Sequence, residues 1–345
     1  MGVGYNVAKE TRWGFETTPC DDALHPSDAP GWWEWWYFDA DFDNGYTMAG
    51  TFHFGSPRPP ANPDVRFIEI ALYDPAGDKR VARKRYPKEQ CSASEDTCKV
   101  VIGPNVFEGE APTFHLFFQE GGQGCDITYE SLVEGYMPKG PTSSVGSAVV
   151  NWVIPTARAK VSGTITWEGK TIEVKGVGYH DHNWSDAPMS GAGDSEDLLA
   201  LMGLIIGDWT LVCSGGRARR KHGYEPYGVM YAYKKDKVVA VSTKGGGLGS
   251  AYATNAVGVE YPQSYRLWWN APGLVEGEIN FSLKQVIDFM DLHRRFKPFQ
   301  RWFVETYVGR AAYFRYRLEY DADLTILGEK VTGKGLTWCE HHKFV

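Results

Sequence analysis

The chain of 345 residues is short of the features that mark several large protein classes. No apolar run approaches the roughly 20 residues needed to span a bilayer as a helix, so no membrane span is expected. No Lys/Arg block exceeds the Arg217–Lys221 stretch, and the net charge is −7, so a nucleic-acid partner is not expected either. There is no Gly-x-Gly-x-x-Gly between a strand and a helix and no P-loop, which removes nucleotide cofactors. No Gly-x-Ser-x-Gly elbow is present, which argues against a serine hydrolase. The six cysteines (Cys20, Cys91, Cys98, Cys125, Cys213 and Cys339) fit no zinc module.

What the chain has in quantity is aromatic residues, with 13 Trp, 19 Tyr and 17 Phe. They suit β-strands and large apolar cavities. Strand-like runs such as Trp35–Ala40, Tyr46–His53, Ala157–Trp167, Thr171–Tyr179 and Ala311–Tyr320 alternate with turn signals such as Asp43-Asn-Gly, Glu168-Gly-Lys and Leu327-Gly-Glu. With few helical crossovers available, antiparallel meanders or barrels are favoured. One helix is expected over about Leu283–Phe296, from apolar Val286, Ile287 and Met290 at helical spacing.

An internal repeat organises the chain. Thr164–His182 resembles Asp323–His341: each is a hairpin, then Gly-x-Gly, then an acid beside a histidine (Asp181-His182 and Glu340-His341). Two related β units follow, 1–184 and 185–345, with the boundary in the Gly/Ser/Asp/Pro-rich stretch Ser185–Glu196.

Two constellations carry chemistry. The first is Gly176-Val-Gly-Tyr-His-Asp-His-Asn-Trp184, on a strand where His180 and His182 face one way and Tyr179, Asp181 and Asn183 the other. The second is Gly31-Trp-Trp-Glu-Trp-Trp-Tyr-Phe-Asp39, where one carboxylate, Glu34, sits among four tryptophans. Poor solvation there is expected to raise the Glu34 pKa and make it a general acid, unless indole N–H donors or an Arg satisfy it structurally. His180-x-His182 and His341-His342 invite a metal, but no third ligand set is evident, so no metal and no other cofactor is expected. Acid–base chemistry in an aromatic cavity remains: a carboxylic acid protonates an alkene, aromatic faces stabilise the cation, and His182 deprotonates an attacking water.

Glu34–Asp39 (Glu-Trp-Trp-Tyr-Phe-Asp) and Tyr179–Asn183 (Tyr-His-Asp-His-Asn) resemble the two hallmarks of the AttH-like/hydroxyneurosporene-synthase family. The resemblance spans nearly the whole chain. It implies an all-β fold of two tandem lipocalin-like antiparallel β-barrels with one or two short helices. It also implies that Asp181 and His182 reach the cavity with Glu34 near them. The family includes carotenoid 1,2-hydratase, fungal kievitone hydratase and fungal lipocalin-like Diels–Alderases that form decalins. Trp184 stands where bacterial carotenoid hydratases have a small residue, which turns the expectation toward a kievitone-hydratase-like enzyme. That enzyme would be a cofactor-free hydro-lyase adding water to the prenyl double bond of a hydrophobic secondary metabolite.

Asp181, His182 and Glu34 are the expected catalytic residues. Trp36, Tyr37, Tyr179, Asn183, Trp184 and Trp209 are the expected substrate contacts. A pericyclase and a non-catalytic carrier of hydrophobic ligands are the competing functions. The even cysteine count, with Cys91 and Cys98 flanking a polar turn as a hairpin disulfide, and the acceptor sequons at Asn183 and Asn280 point to the secretory pathway. The residues from Met1 to Val7 do not themselves read as a signal peptide. The expected partner is a small hydrophobic substrate, and the expected state a monomer or weak homodimer.

Overall fold

The computed structural model describes residues 14–56, 62–138, 143–145, 148–186, 195–291, 299, 302 and 311–344. Of these, 14–138 and 148–186 form one compact unit, and those from 195 onward form another. Each unit is an antiparallel β-barrel, the first nearly closed and the second closed. Among the described residues, no helix is long and apolar enough to cross a membrane.

The N-terminal unit contains β1 (Gly14–Glu16), β2 (Trp33–Phe42), β3 (Thr47–Ser56), β4 (Asn62–Tyr73), β5 (Lys79–Tyr86), β6 (Cys91–Ala93), β7 (Cys98–Ile102), β8 (Asn105–Glu110), β9 (Thr113–Glu120), β10 (Gln123–Ser131), β11 (Tyr136–Pro138), β13 (Ala148–Trp167) and β14 (Lys170–Ser185), with the short β12 (Ser143–Val145) between β11 and β13 in the chain. Its sheet runs β5-β4-β3-β2-β14-β13-β10-β9-β8-β7-β6. The chain's return from β13 through β14 to β2 is therefore the seam at the middle of the sheet.

The C-terminal unit contains β15 (Ser195–Ile206), β16 (Trp209–Ala218), β17 (Pro226–Lys234), β18 (Lys237–Thr254), β19 (Glu260–Ala271), β20 (Val275–Asp291), β21 (Ala311–Ile326) and β22 (Glu329–Phe344). Each of these strands pairs with the next, and β22 returns to β15.

Period-two alternation fills each lumen. On β2 the even positions Trp36, Phe38, Ala40 and Phe42 join a core with Phe52, Phe107, Phe114, Leu116, Ile127 and Tyr129. In the second unit Leu199, Leu201, Leu267, Ile279, Phe314, Tyr316 and Leu324 do the same. Each large side chain so buried contributes roughly 1.5–3 kcal/mol, and this filling is the main drive for closure.

The sequence repeat is a structural one. The β13–β14 hairpin turns through Glu168-Gly169 and the β21–β22 hairpin through Leu327-Gly328, and all four residues have positive φ. That is the two-residue turn whose twist matches the flanking strands. At Gly176 the two strands of the N-terminal seam approach so closely that a Cβ would lie 1.9 Å from the Asp41 carbonyl oxygen.

Two expectations are corrected. The expected helix from Leu283 falls, as far as Asp291, on β20, which pairs with β21 throughout; residues 292–296 lie outside the described set. Register shifts between Leu283 and Gln285 and between Val286 and Asp288 mark bulges in this strand. Each bulge delays the alternation by one residue, so Leu283, Val286 and Phe289 all pack on the core at a spacing of three, which imitates a helix. The expected Cys91–Cys98 disulfide is absent, and all six cysteines are free. Cys91 pairs with Ile102 in the β6–β7 ladder. Cys98 lies four residues down that ladder, about 13 Å along the strand, and bridging requires Cα atoms within roughly 7 Å.

Gly176→Ala is expected to destabilise the N-terminal barrel by at least about 1–3 kcal/mol, because backbone rather than a movable side chain is in the way. A chemical-denaturation midpoint equal to that of the unaltered chain would contradict the tight seam.

Candidate active site

The seam pairs β14 with β2 so that His182 faces Trp36, His180 faces Phe38 and Trp184 faces Glu34. Alternation then turns Glu34, Trp36, His180, His182 and Trp184 to one face. Glu34, His180 and His182 are each 0% exposed. A 3-10 turn, Pro19–Asp22, delivers a second carboxylate to this group. It is built locally by a capping box in which Thr18 N–H and Oγ1 both reach Asp21 Oδ2, at 2.7 and 2.8 Å, with Pro19 opening the turn. Trp36 Nε1–H donates to the Asp22 carbonyl oxygen at 3.0 Å and fixes the turn against the barrel.

A chain of charges results. His182 Nε2 donates to Glu34 Oε1 at 2.7 Å. Its Nδ1 lies 3.2 Å from Asp22 Oδ1, an ion-pair contact outside hydrogen-bond geometry. Asp22 Oδ2 is 2.9 Å from His180 Nε2, and His180 Nδ1 is 2.7 Å from the Tyr37 carbonyl oxygen. Glu34 is held further by the His25 backbone N–H, at 3.0 and 3.1 Å to its two oxygens, and by His25 Nδ1 at 3.0 Å. Aromatic rings cover the centre: Trp36 stacks on His182 with centroids 4.2 Å apart, and Trp184 stacks on His25 at 3.7 Å.

These contacts set the protonation states. Burial alone would depress the His182 pKa, but its close contacts with the Asp22 and Glu34 carboxylates outweigh it and raise it to about 9. Burial likewise works against ionised Asp22, yet His180 and His182 bring it down to about 2. Glu34 also ends below the ordinary carboxylate range: burial opposes ionisation, and the His182 and His25 hydrogen bonds override it. The expected neutral, acidic Glu34 is thus corrected. The surrounding tryptophans do desolvate it, but two imidazoles hold it ionised and the stored proton sits on His182.

The expected site residues divide. Glu34, His182, Trp36 and Trp184 converge. Asp181, Tyr37, Tyr179 and Asn183 lie on the opposite face of the seam, where the Asp181 carboxylate accepts from Tyr179 O–H at 2.7 Å, Trp152 Nε1–H at 2.9 Å and Asn183 Nδ2–H at 2.9 Å. Trp209 belongs to the other barrel, where its Nε1–H points at Glu329 Oε1 at 3.4 Å. Asp22 and His25 were not among the expected site residues, and Cys98 was expected only as half of a disulfide.

Two sets of side chains here have metal-binding chemistry: Asp22, Cys98 and His180, and His25, Glu34 and His182, with the donor atoms of each set within 4.8 Å of one another. Asp22 also borders a small pocket lined by Thr17, Glu110, Phe114 and Pro155.

No family model matches this chain, and no curated protein sequence does. Solved structures do. A provisional AttH from Nitrosomonas europaea superposes with a TM-score of 0.63 at 16% identity, over 100% of both chains. CghA in complex with Sch210972 gives 0.63 at 15% identity, over 91% of this chain and 88% of that one. Kievitone hydratase from Nectria haematococca gives 0.59 at 12% identity, over 100% and 96%. The chain has their double-barrel fold. At these identities the likeness speaks to fold alone.

The pKa directions have a stability consequence. A histidine raised from 6.5 to about 9 stabilises the folded state fully below pH 6.5, and that contribution fades as pH climbs through 9. Asp22 and Glu34, both lowered, contribute above the ordinary carboxylate range and lose their contribution as pH falls through their folded values. Unfolding free energy is expected to drop by on the order of 3 kcal/mol between pH 6.5 and 9.5. His182→Gln should flatten that slope. An unchanged slope in the variant would contradict the charge assignment.

Proposed function

We propose that the N-terminal barrel is a cofactor-free hydro-lyase that adds water across the double bond of an isoprenoid side chain on a hydrophobic metabolite. The observation that carries the reading is a buried imidazolium, His182, hydrogen-bonded at 2.7 Å to an ionised Glu34 beneath the Trp36 ring. The kievitone hydratase fold is consistent with it.

The steps balance as follows. A bound apolar substrate displaces water and favours the neutral form of the ion pair, so the Nε2 proton moves to Glu34. The resulting carboxylic acid protonates the alkene and becomes carboxylate again, leaving a tertiary carbocation. The tryptophan faces stabilise that cation by roughly 0.5–2 kcal/mol per ring. Water attacks the cation, and neutral His182 takes the excess proton, which restores the imidazolium. Asp22 holds His182 in place and keeps its charge compensated. Asp181, on the other face, positions β14 through Tyr179, Asn183 and Trp152 and does not touch the reacting atoms.

One observation favours a second reading. Both carboxylates rest ionised, so no strong acid stands ready, and a cyclisation that needs only a hydrogen-bond donor would suit the resting state. Solvent deuterium separates the two. Incubation of a prenylated phenol in D2O should give a tertiary alcohol carrying one deuterium on the neighbouring carbon, and Glu34→Gln and His182→Gln should each lower turnover by at least about 10²-fold. Product without deuterium, or full turnover in both variants, would sink the hydratase reading.

A further inference from the structure

Arg66 lies in the N-terminal barrel on the same face as Glu34. Residues directly opposite each other in an antiparallel ladder share a face. Across β14, β2, β3 and β4 the pairs run Trp184–Glu34, Glu34–Phe54 and Phe54–Arg66, so these four side chains form one row. Arg66 and Glu34 are thus two strands apart, about 10 Å at the backbone.

The guanidinium leans along this row. Its carbon lies 4.3 Å from the centre of the Phe54 ring and 5.7 Å from that of Trp32. Phe54 stands between Arg66 and Glu34 in the row, and Trp32 Nε1–H donates to the carbonyl oxygen of His25, the residue that caps Glu34. Two aromatic faces therefore hold the cation on the side of the reacting pair. Nη1 donates to the Pro63 and Val65 carbonyl oxygens, which fixes the plane of the group.

What the cation lacks is a negative partner. Arg66 is only 7% exposed, and an arginine so buried is seldom left unpaired. Among the described residues no carboxylate pairs with it: Glu34 is engaged by His182 and His25, and Asp64 by Lys88. Burial accordingly pulls the Arg66 pKa below the ordinary arginine value. Its Nε and Nη2 have no acceptor among the described residues, yet neither is sealed from solvent. An anion can reach them.

We propose that Arg66 binds an oxygen anion of the substrate, a carboxylate or an ionised phenol, and so makes this a site for acidic molecules. The free donors on Nε and Nη2 lie side by side on one edge of the guanidinium. They match the two oxygens of a carboxylate, and a single phenolate oxygen accepts from both. A neutral hydrocarbon would cover the cation and leave it uncompensated. The assignment rests on the reading of Glu34 and His182 as the reacting pair, and it places the acidic oxygen two strands from the double bond.

Calorimetric titration of the full chain with para-prenylbenzoate and with its methyl ester tests this. The acid is expected to bind at least about 10-fold more tightly than the ester, from charge-assisted hydrogen bonds. Added salt should shrink the difference. Arg66→Gln should abolish the preference and leave ester binding, which reports an intact fold, as it was. If Arg66→Gln does not bind the ester, Arg66→Lys takes its place and should bind the ester normally and the acid more weakly. Glu34→Gln should keep the preference while losing hydration. A chain that prefers the acid but never hydrates it would refute the reaction and leave the anchor standing. The anchor is overturned if the acid binds no tighter than the ester, if neither binds, or if the preference survives in Arg66→Gln.

Discussion

The short hydrogen bond from His182 to Glu34 depends on a single constraint, the antiparallel register of β14 on β2. Alternation means that one register turns Glu34, Trp36, His180 and His182 to the same side, and a slip of one residue would turn them all away. The tight approach of Gly176 to the Asp41 carbonyl holds that register. The site is therefore a property of barrel closure. The same residue types on a loose loop would be ordinary surface charges.

Burying four such groups is unfavourable unless each is paired. A lone buried charge would be neutralised, whereas here Asp22 and Glu34 bracket His182 and each carboxylate has a second imidazole, His180 or His25. Ion pairs of this kind add little net stability compared with a well-packed apolar core. They sit in the lumen beside Phe107 and Phe114, whose rings meet His180 edge-on. The C-terminal barrel shows what the arrangement becomes when the second carboxylate is replaced by a phenol. Charge is reduced, and a hydrogen-bond relay from Tyr316 to Asp197 takes its place.

Much of this was legible in the residues. The Trp-Glu-Trp-Trp run, the faces of β14 and the repeated hairpin all follow from period-two alternation and turn chemistry, and the structure carries them as read. The identity of the acid partners did not follow. Asp181-His182 and Glu340-His341 look like dyads because they are adjacent, but adjacent strand residues face opposite ways, and the true partners, Glu34 and Asp197, are 148 and 144 residues distant. Asp22 reaches His180 across 158 residues from a turn whose local signals concern only its own capping. The protonation of Glu34 could not be read either, because indoles and imidazoles act on it in opposite directions and only the imidazoles' distances decide between them. The bulges of β20 defeated periodicity in a third way, by moving apolar residues to a spacing of three.

The most direct test of this account is the titration of His182 itself, followed by NMR in the chain with ring-labelled histidine, using His182→Gln to assign the signal. The account predicts an imidazolium that persists through neutral pH and titrates at about 9, and a marked fall in that value on Glu34→Gln. A His182 that titrates at or below 6.5 would mean that burial defeats the carboxylates, and the stored proton on which the proposed chemistry rests would not be there.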